Sequence, residues 1–120
     1  MEHFVTYFDK NYLPQGLVLA DSLRRHVKHI NLWVVCLDRA TFTILEDLNL
    51  DFIKIIDVSE IETKELLDVK GTRKLNEYYW TLTPFIPSYI LASNPEIERV
   101  CYLDADMWIV KPIDQLFLEF

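Results

Sequence analysis

The chain has 120 residues, of which 51% are hydrophobic and only two are glycine, and its formal net charge is −7. This length and composition suit one ordered globular domain rather than a disordered segment. Because nucleic-acid binding depends largely on clustered Lys and Arg that neutralise phosphates, the acidic balance disfavours a general binder of DNA or RNA.

The first half of the chain alternates between strand-like and helix-like patterns. Compact β-branched, aromatic and apolar runs predict strands at 4–8, 32–37 and 52–56, and apolar residues at helical spacing predict helices at 13–27 and 42–48. Strands joined by helices at this pace require right-handed crossovers. The pattern therefore predicts a mostly parallel α/β sheet of the Rossmann-like type, with helices on both faces and ligands at the carboxyl ends of the strands.

The second half of the chain contains most of the prolines. Residues 61–67 predict a short helix, and the basic residues at 70–74 predict a loop because a glycine interrupts them. Residues 77–93 are aromatic and apolar, with Pro84 among them. Since proline is tolerated in the first turn of a helix but not in its interior, we predict one helix that ends before Pro84 and a second that begins there.

Two carboxylates follow an apolar strand near the end of the sequence. Residues 100–103 predict a buried strand that leads into Asp104 and Asp106, and residues 107–110 predict a second short strand. Extended backbone points both carboxylates to the same side, where they repel each other unless they are solvated or share a cation. A hard divalent ion with oxygen ligands suits such a pair. The alternative is that the two residues only end the strand, as Asp often does in turns.

The carboxylate segment resembles that of a known group of enzymes. Residues 102–117 read YLDADMWIVKPIDQLF, which is similar to the metal-binding segment of GT-A glycosyltransferases, especially the family 8 and glycogenin-like group. Residues 4–6 and 16–26 also resemble that group's first strand and helix, in which a small residue and a Ser-Leu pair precede a basic helix end. The resemblance covers almost the whole chain. It implies the three-layer GT-A nucleotide-diphospho-sugar transferase fold.

The same resemblance implies a function and a set of site residues. It implies a retaining or inverting transferase that binds a nucleotide-diphosphate sugar with Mn²⁺ or Mg²⁺, a UDP-sugar being the expected donor, and transfers the sugar to a hydroxyl of a glycan, a lipid-linked acceptor or a protein. Asp104 and Asp106 become the metal and ribose ligands, and Ala105 contributes backbone between them. The other donor-binding positions that it implies are Tyr7, Phe8 and Asp9 near the base and ribose, Tyr12 stacked on the base, and Trp80 in the helix before the metal strand.

The sequence departs from the family pattern in two places. Close family 8 members carry a basic residue in the helix before the metal strand, where this chain has Thr83, Pro84 and Phe85. Arg73 or Lys74 is therefore predicted to contact the diphosphate, although a short basic cluster is equally typical of a solvated loop. The family's third metal ligand, a histidine, and its acceptor-binding half lie beyond residue 120. We therefore expect residues 1–120 to be the donor-binding part of a GT-A domain, truncated after the carboxylate segment, with no catalytic residue identified.

Other aromatic and imidazole side chains have simpler interpretations. Tyr78 is predicted to lie in the core, whereas Tyr79 is as consistent with the core as with the donor pocket, and the same holds for Trp80 on the dense aromatic stripe. Surface or helix-capping roles are predicted for His3, before the first strand, and for His26 and His29 at a helix end.

The two cysteines and the absence of targeting signals bear on location. Cys36 and Cys101 lie in apolar strand-like runs, which predicts buried free thiols and a reducing compartment. The sequence shows neither a signal peptide nor a membrane-spanning run, so a cytoplasmic location is expected. Association with the absent acceptor-binding half, or a homo-oligomer, is a further expectation.

Three other functions compete with sugar transfer. A remnant that keeps the fold without turnover is the non-enzymatic alternative. A nucleotidyltransferase of related fold normally has a glycine-rich loop after its first strand, which residues 9–12 do not resemble. Haloacid-dehalogenase-type phosphatases also place Asp-x-Asp after a strand, but usually at the start of the domain, whereas here the motif comes last.

Overall fold

The computed structural model describes residues 1–111 of the chain. In this part of the chain four parallel strands form one sheet, in the order β3-β2-β1-β4. The strands are β1 (Glu2–Phe8), β2 (Ile30–Cys36), β3 (Ile53–Asp57) and β4 (Cys101–Tyr102). The parallel sheet and its strand order confirm the Rossmann-like α/β prediction.

Five α-helices and one 3₁₀ turn connect the described strands. The helices are α1 (Leu13–His26), α2 (Arg39–Leu48), α3 (Lys64–Lys70), α4 (Leu75–Leu82) and α5 (Phe85–Ser93), and the 3₁₀ turn is Val58–Glu60. Pro84 divides α4 from α5, as predicted, because its missing N–H is tolerated at the start of a helix. The helix predicted at 61–67 begins only at Lys64, where the Thr63 hydroxyl accepts a hydrogen bond from Leu66 N at 3.2 Å.

The sheet has a separate hydrophobic core on each face. Successive residues of β1 point to opposite sides, so Phe4 packs in the core with α1 and α2, whereas Val5 packs in the core with α3, α4 and α5. Leu19 and Leu45 represent the first helical layer, and Ile86 represents the second. The predicted three-layer arrangement, with helices on both faces, is confirmed.

The carboxyl-terminal part of the described chain differs from the prediction. The strand predicted at 100–103 is paired only at Cys101–Tyr102, and residues 107–110 form no strand. Met107 N donates to the Asp104 carbonyl at 3.1 Å, which closes a turn and diverts the chain from the sheet. The apolar character of 107–110 has another cause, since Ile109 packs against the core on the α1 side.

Two further features of the fold concern His3 and the lengths of the helices. His3 lies within β1, not before it, and accepts a hydrogen bond from Trp33 Nε1 at 3.3 Å. Among residues 1–111, no helix has both the length and the apolar character needed to cross a membrane.

Candidate functional site

The direction in which the chain adds strands reverses at β1. The strands β1, β2 and β3 follow one another across the sheet, and β4 then pairs with the opposite edge of β1. The connections that leave the carboxyl ends of β1 and β4 therefore diverge, which opens a crevice at the point where parallel sheets bind ligands. A cavity of about 540 Å³ lies there.

Eight of the ten predicted site residues line this cavity: Tyr7, Phe8, Asp9, Tyr12, Trp80, Asp104, Ala105 and Asp106. They come from the end of β1, the turn into α1, helix α4 and the segment after β4. Residues that are distant in sequence are brought together because β1 and β4 are parallel neighbours, so the segments that follow them leave the same edge of the sheet. Helix α4, which packs on one face of the sheet, contributes the remaining wall.

The wall next to β1 is built around a tight turn. The Asp9 carboxylate accepts hydrogen bonds from the backbone N–H groups of Asn11, at 2.9 Å, and Tyr12, at 3.3 Å. This turn leads into α1 and leaves Tyr12 54% exposed on the rim. One turn into α1, Gly16 packs so closely on Phe8 that a Cβ atom at this position would overlap the phenyl ring. The glycine therefore allows Phe8 to reach the cavity wall.

Asp38 connects the loops that follow β1 and β2. Its carboxylate accepts hydrogen bonds from Lys10 N at 3.0 Å and from Thr41 N at 2.9 Å, and it caps the start of α2. Burial by itself raises the pKa of Asp38, but the hydrogen bonds from Thr41 and Lys10 outweigh it and lower the pKa below its ordinary value. This carboxylate thus holds the loop after β1 against the adjacent helix.

Three tyrosines form the floor between β1, β4 and α4. The ring centroid of Tyr7 lies 6.1 Å from that of Tyr79 and 5.9 Å from that of Tyr102. Burial, followed by the Tyr7 phenol and the Asp104 carboxylate, raises the pKa of Tyr102, and burial together with the charges of Asp9 and Asp38 raises that of Tyr79. Both phenols therefore stay protonated at neutral pH and are able to donate hydrogen bonds.

Asp104 and Asp106 lie on the turn that follows β4. Both side chains are exposed and both line the cavity, while Ala105 between them is half-buried against the α1-side core. The prediction that both carboxylates point to the same side depended on extended backbone, and this condition is not met, because the turn closed by Met107 begins at Asp104. The two carboxylates nevertheless share one cavity.

The residues present suit one kind of metal site. Within residues 1–111 there is no cluster of three or more His, Cys, Asp or Glu side chains that could hold a metal ion. Two exposed carboxylates instead fit a hard ion that completes its shell with water and phosphate oxygens, which is how Mg²⁺ is commonly held beside a diphosphate.

Arg73 and Lys74 do not line the cavity. The Arg73 guanidinium donates to the Thr81 hydroxyl, and Lys74 precedes the first residue of α4. The next two residues, Leu75 and Asn76, line the cavity instead. The first turn of α4 therefore lines the site, whereas the two basic residues that precede it do not.

Four lining residues were missed by the sequence analysis: Leu37, Leu75, Asn76 and Tyr102. Two of them had a usable signal, because Leu37 and Tyr102 stand at the carboxyl ends of predicted strands. Leu75 and Asn76 had none, since their position depends on how the 70–74 loop packs.

The three consecutive aromatic residues of α4 lie in different environments because each successive side chain points in a different direction around the helix. Tyr78 is fully buried and donates its hydroxyl hydrogen to Glu62 Oε2 at 2.6 Å, which confirms the core prediction. Tyr79 is half-buried and both packs against the core and lines the cavity, whereas Trp80 lines the cavity and is 67% exposed.

The structure shows how far the two cysteines and two of the histidines are buried. Both cysteines are free; Cys36 is buried as predicted, whereas Cys101 is only half-buried. Burial, followed by the charges of Asp57 and Asp38, raises the pKa of Cys36 to about 12. His26 ends α1 and His29 is exposed, in line with surface and capping roles.

The strand order, the helical layers and the cleft at the strand reversal together define a GT-A-type α/β domain. The family model for glycosyl transferase family 8 matches residues 3–118. The chain belongs to glycosyl transferase family 8.

Two relatives from Bacillus subtilis (strain 168) are similar to nearly the whole chain. The uncharacterized protein YfnF is 32% identical over 114 residues, and the uncharacterized protein YfnD is 25% identical over 117 residues. These matches cover 95% and 98% of this chain, but only 38% of the length of each relative.

Proposed function

We propose that the cavity binds a nucleotide-diphosphate sugar, through a divalent metal held by Asp104 and Asp106, for transfer of the sugar to an acceptor hydroxyl. The observation that carries this proposal is the meeting of both carboxylates with exposed aromatic side chains in one cavity at the strand reversal. Family membership supports sugar transfer over nucleotidyl transfer.

The carboxylates bind and orient the metal, and their two charges match a dication. Mn²⁺ or Mg²⁺ would neutralise the negative charge that develops on the departing nucleoside diphosphate. The Tyr79 phenol lines the cavity and stays protonated at neutral pH because burial raises its pKa, so it offers a hydrogen bond to an oxygen of the bound donor. The Tyr102 phenol is already hydrogen-bonded to Asp104 and Tyr7, and we assign it to holding the Asp104 carboxylate.

The aromatic rim suits the nucleoside. Tyr12 and Trp80 come from α1's entry turn and from α4, and both expose a large part of their side chains at the cavity. Flat aromatic faces stack on bases and cover them from water. We assign the base to this rim, with the diphosphate directed towards the carboxylates.

The proposed role of residues 1–120 is donor binding. The chain spans 38% of the length of its matched relatives, so we place the acceptor site, the catalytic residue and any third protein ligand in the additional sequence that such relatives carry. The proposed partners of these residues are that acceptor-binding half, which would complete the site, and a second copy of the chain in a homo-oligomer. Two free cysteines favour the cytoplasm as its compartment.

Isothermal titration calorimetry with UDP and with GDP, each with and without Mn²⁺, tests the proposal. We expect Mn²⁺-dependent binding of UDP in preference to GDP, and its loss in the double variant Asp104→Asn, Asp106→Asn. The matched control is the double variant Asp47→Asn, Asp68→Asn, which removes two exposed carboxylates that do not line the cavity. A folded wild-type chain that binds neither nucleotide in any condition would instead favour a remnant without an active donor site.

A further inference from the structure

The loop that carries the two aspartates is fastened at both of its ends. Before the pair, Leu103 N donates to the Val5 carbonyl of β1 at 2.9 Å. After the pair, Ile109 N donates to the hydroxyl oxygen of Ser22 on α1 at 2.8 Å. Between these bonds the chain has left the sheet, and four of the five residues 104–108 are exposed.

The Ser22 hydroxyl is oriented for this contact by its own helix. It donates its single hydrogen to the Leu19 carbonyl at 2.8 Å, which leaves its lone pairs to accept from Ile109. Ser22 is only 9% exposed, so water has little access to compete for the bond. The hydroxyl is thus a directed acceptor on a rigid helix.

Side-chain packing supports the loop at two positions, since Ala105 and Ile109 are half-buried against the α1-side core. Met107 and Trp108 are 42% and 63% exposed and add little to it, so the hydrogen bond to Ser22 is the directional contact at the downstream end. Losing the acceptor would leave the Ile109 N–H unpaired beside apolar side chains, which is costly. The loop would then escape this cost by moving away from α1.

We propose that Ser22 is a positioning residue for the metal-binding carboxylates, holding the downstream end of the Asp104–Asp106 loop against α1. This inference rests on the proposed donor-site function. Ligating carboxylates act well only when surrounding groups restrict their orientation, and loss of such outer contacts typically weakens metal binding by about 10-fold to 100-fold. Ser22 touches neither the metal nor the donor and acts through the backbone of Ile109.

Three variants test the proposal in the full 120-residue chain. Ser22→Ala removes the acceptor and keeps a good helix former, and Ser22→Thr restores a hydroxyl. The matched control is Ser88→Ala, because Ser88 on α5 also donates to a backbone carbonyl just before it in the chain, that of Pro84 at 3.3 Å, but is exposed and lies on the other face of the sheet from the loop.

Two measurements separate positioning from a general effect on the fold. We expect amide hydrogen exchange at Ile109 to be about 10-fold faster in Ser22→Ala, the effect of losing one typical hydrogen bond. Titration with Mn²⁺ and UDP should show affinity reduced about 10-fold or more in the same variant. Both effects should be reversed in Ser22→Thr and absent in Ser88→Ala.

Each contrary result has a distinct meaning. Unchanged exchange at Ile109 in Ser22→Ala would show that the bond does not hold the loop. Faster exchange with unchanged Mn²⁺-dependent UDP affinity would reduce Ser22 to a structural residue. If the wild-type chain itself binds no UDP with Mn²⁺, the proposed donor site fails and the positioning role fails with it, while the exchange data still establish whether the anchor exists.

Discussion

The two strands on either side of β1 are held very differently. β2 pairs with β1 over seven residues, from Glu2 with Ile30 to Phe8 with Cys36, whereas β4 pairs with it over two. The strand that leads into the predicted metal ligands therefore has little support from the sheet, and the loop beyond it depends on tertiary contacts such as the hydrogen bond to Ser22. The sheet provides the frame of the site, and separate tertiary contacts hold its chemical groups.

The largest difference in stability is expected between alanine variants of the two residues that pair with Phe4, which are Leu32 on β2 and Cys101 on β4. Leu32 is fully buried, so Leu32→Ala should lower the free energy of unfolding by about 2–5 kcal/mol. Cys101 is half-buried and small, so Cys101→Ala should cost less than about 1 kcal/mol. Chemical denaturation measures both values, and equal costs would contradict the view that β4 is weakly supported.

A smaller effect is expected where α1 contacts the cavity wall. Gly16→Ala introduces a Cβ that overlaps the Phe8 ring, and such overpacking typically costs about 1–3 kcal/mol. The same change at Gly71 meets only the Asp68 carbonyl, at an ordinary contact distance of 3.6 Å, on backbone with φ −68°. Gly71→Ala should therefore be neutral or stabilise the fold by less than about 1 kcal/mol.

Thermal and chemical unfolding of Gly16→Ala and Gly71→Ala measures whether only the first variant is less stable than the wild type. Similar stability in both would mean that Phe8 moves aside without cost. In that case the close contact between Gly16 and Phe8 would not be required for the cavity wall.

The smallest expected effect is on the pH dependence of stability, and it arises from Asp38, which holds the loop after β1. Because the folded pKa of Asp38 lies below its ordinary 3.8, folding favours the ionised form, and the resulting stability is present above that pH. It is lost as the pH falls through the folded pKa. The stability difference between wild type and Asp38→Asn should therefore narrow below pH 3.8, which denaturant unfolding at a series of pH values measures. A difference independent of pH would contradict this account.

Local patterns predicted most of the frame of the molecule. The runs at 4–8, 32–37 and 52–56 predicted three strands that the structure extends or shifts by one or two residues. Alternation and continuous apolar runs identify buried strands because burial on a sheet face is a local requirement. Residues 107–110 misled the same reasoning, since Ile109 is apolar for contact with α1 and not for pairing in a sheet.

The candidate site was predicted from motifs more successfully than from charge. Residues at strand ends, such as Asp9 and Asp104, line the cavity because the carboxyl ends of parallel strands share one edge. Arg73 and Lys74, which were proposed in place of the family's basic residue, do not line it. Where a long side chain in a loop points depends on partners such as Thr81, which no spacing in the sequence reveals.

By itself the sequence determined the α/β class, the strand-end location of the carboxylate pair and its family, because these follow from hydrophobic periodicity and from a short specific motif. Only the tertiary structure decided that Tyr79 and Tyr102 face the cavity, that Gly16 makes room for Phe8, and that Ser22 holds Ile109 across 87 residues of sequence. Contacts of this kind depend on the crossing of a helix with a loop that has left the sheet. Local propensity contains no information about that crossing, since it is set by the packing of the whole domain.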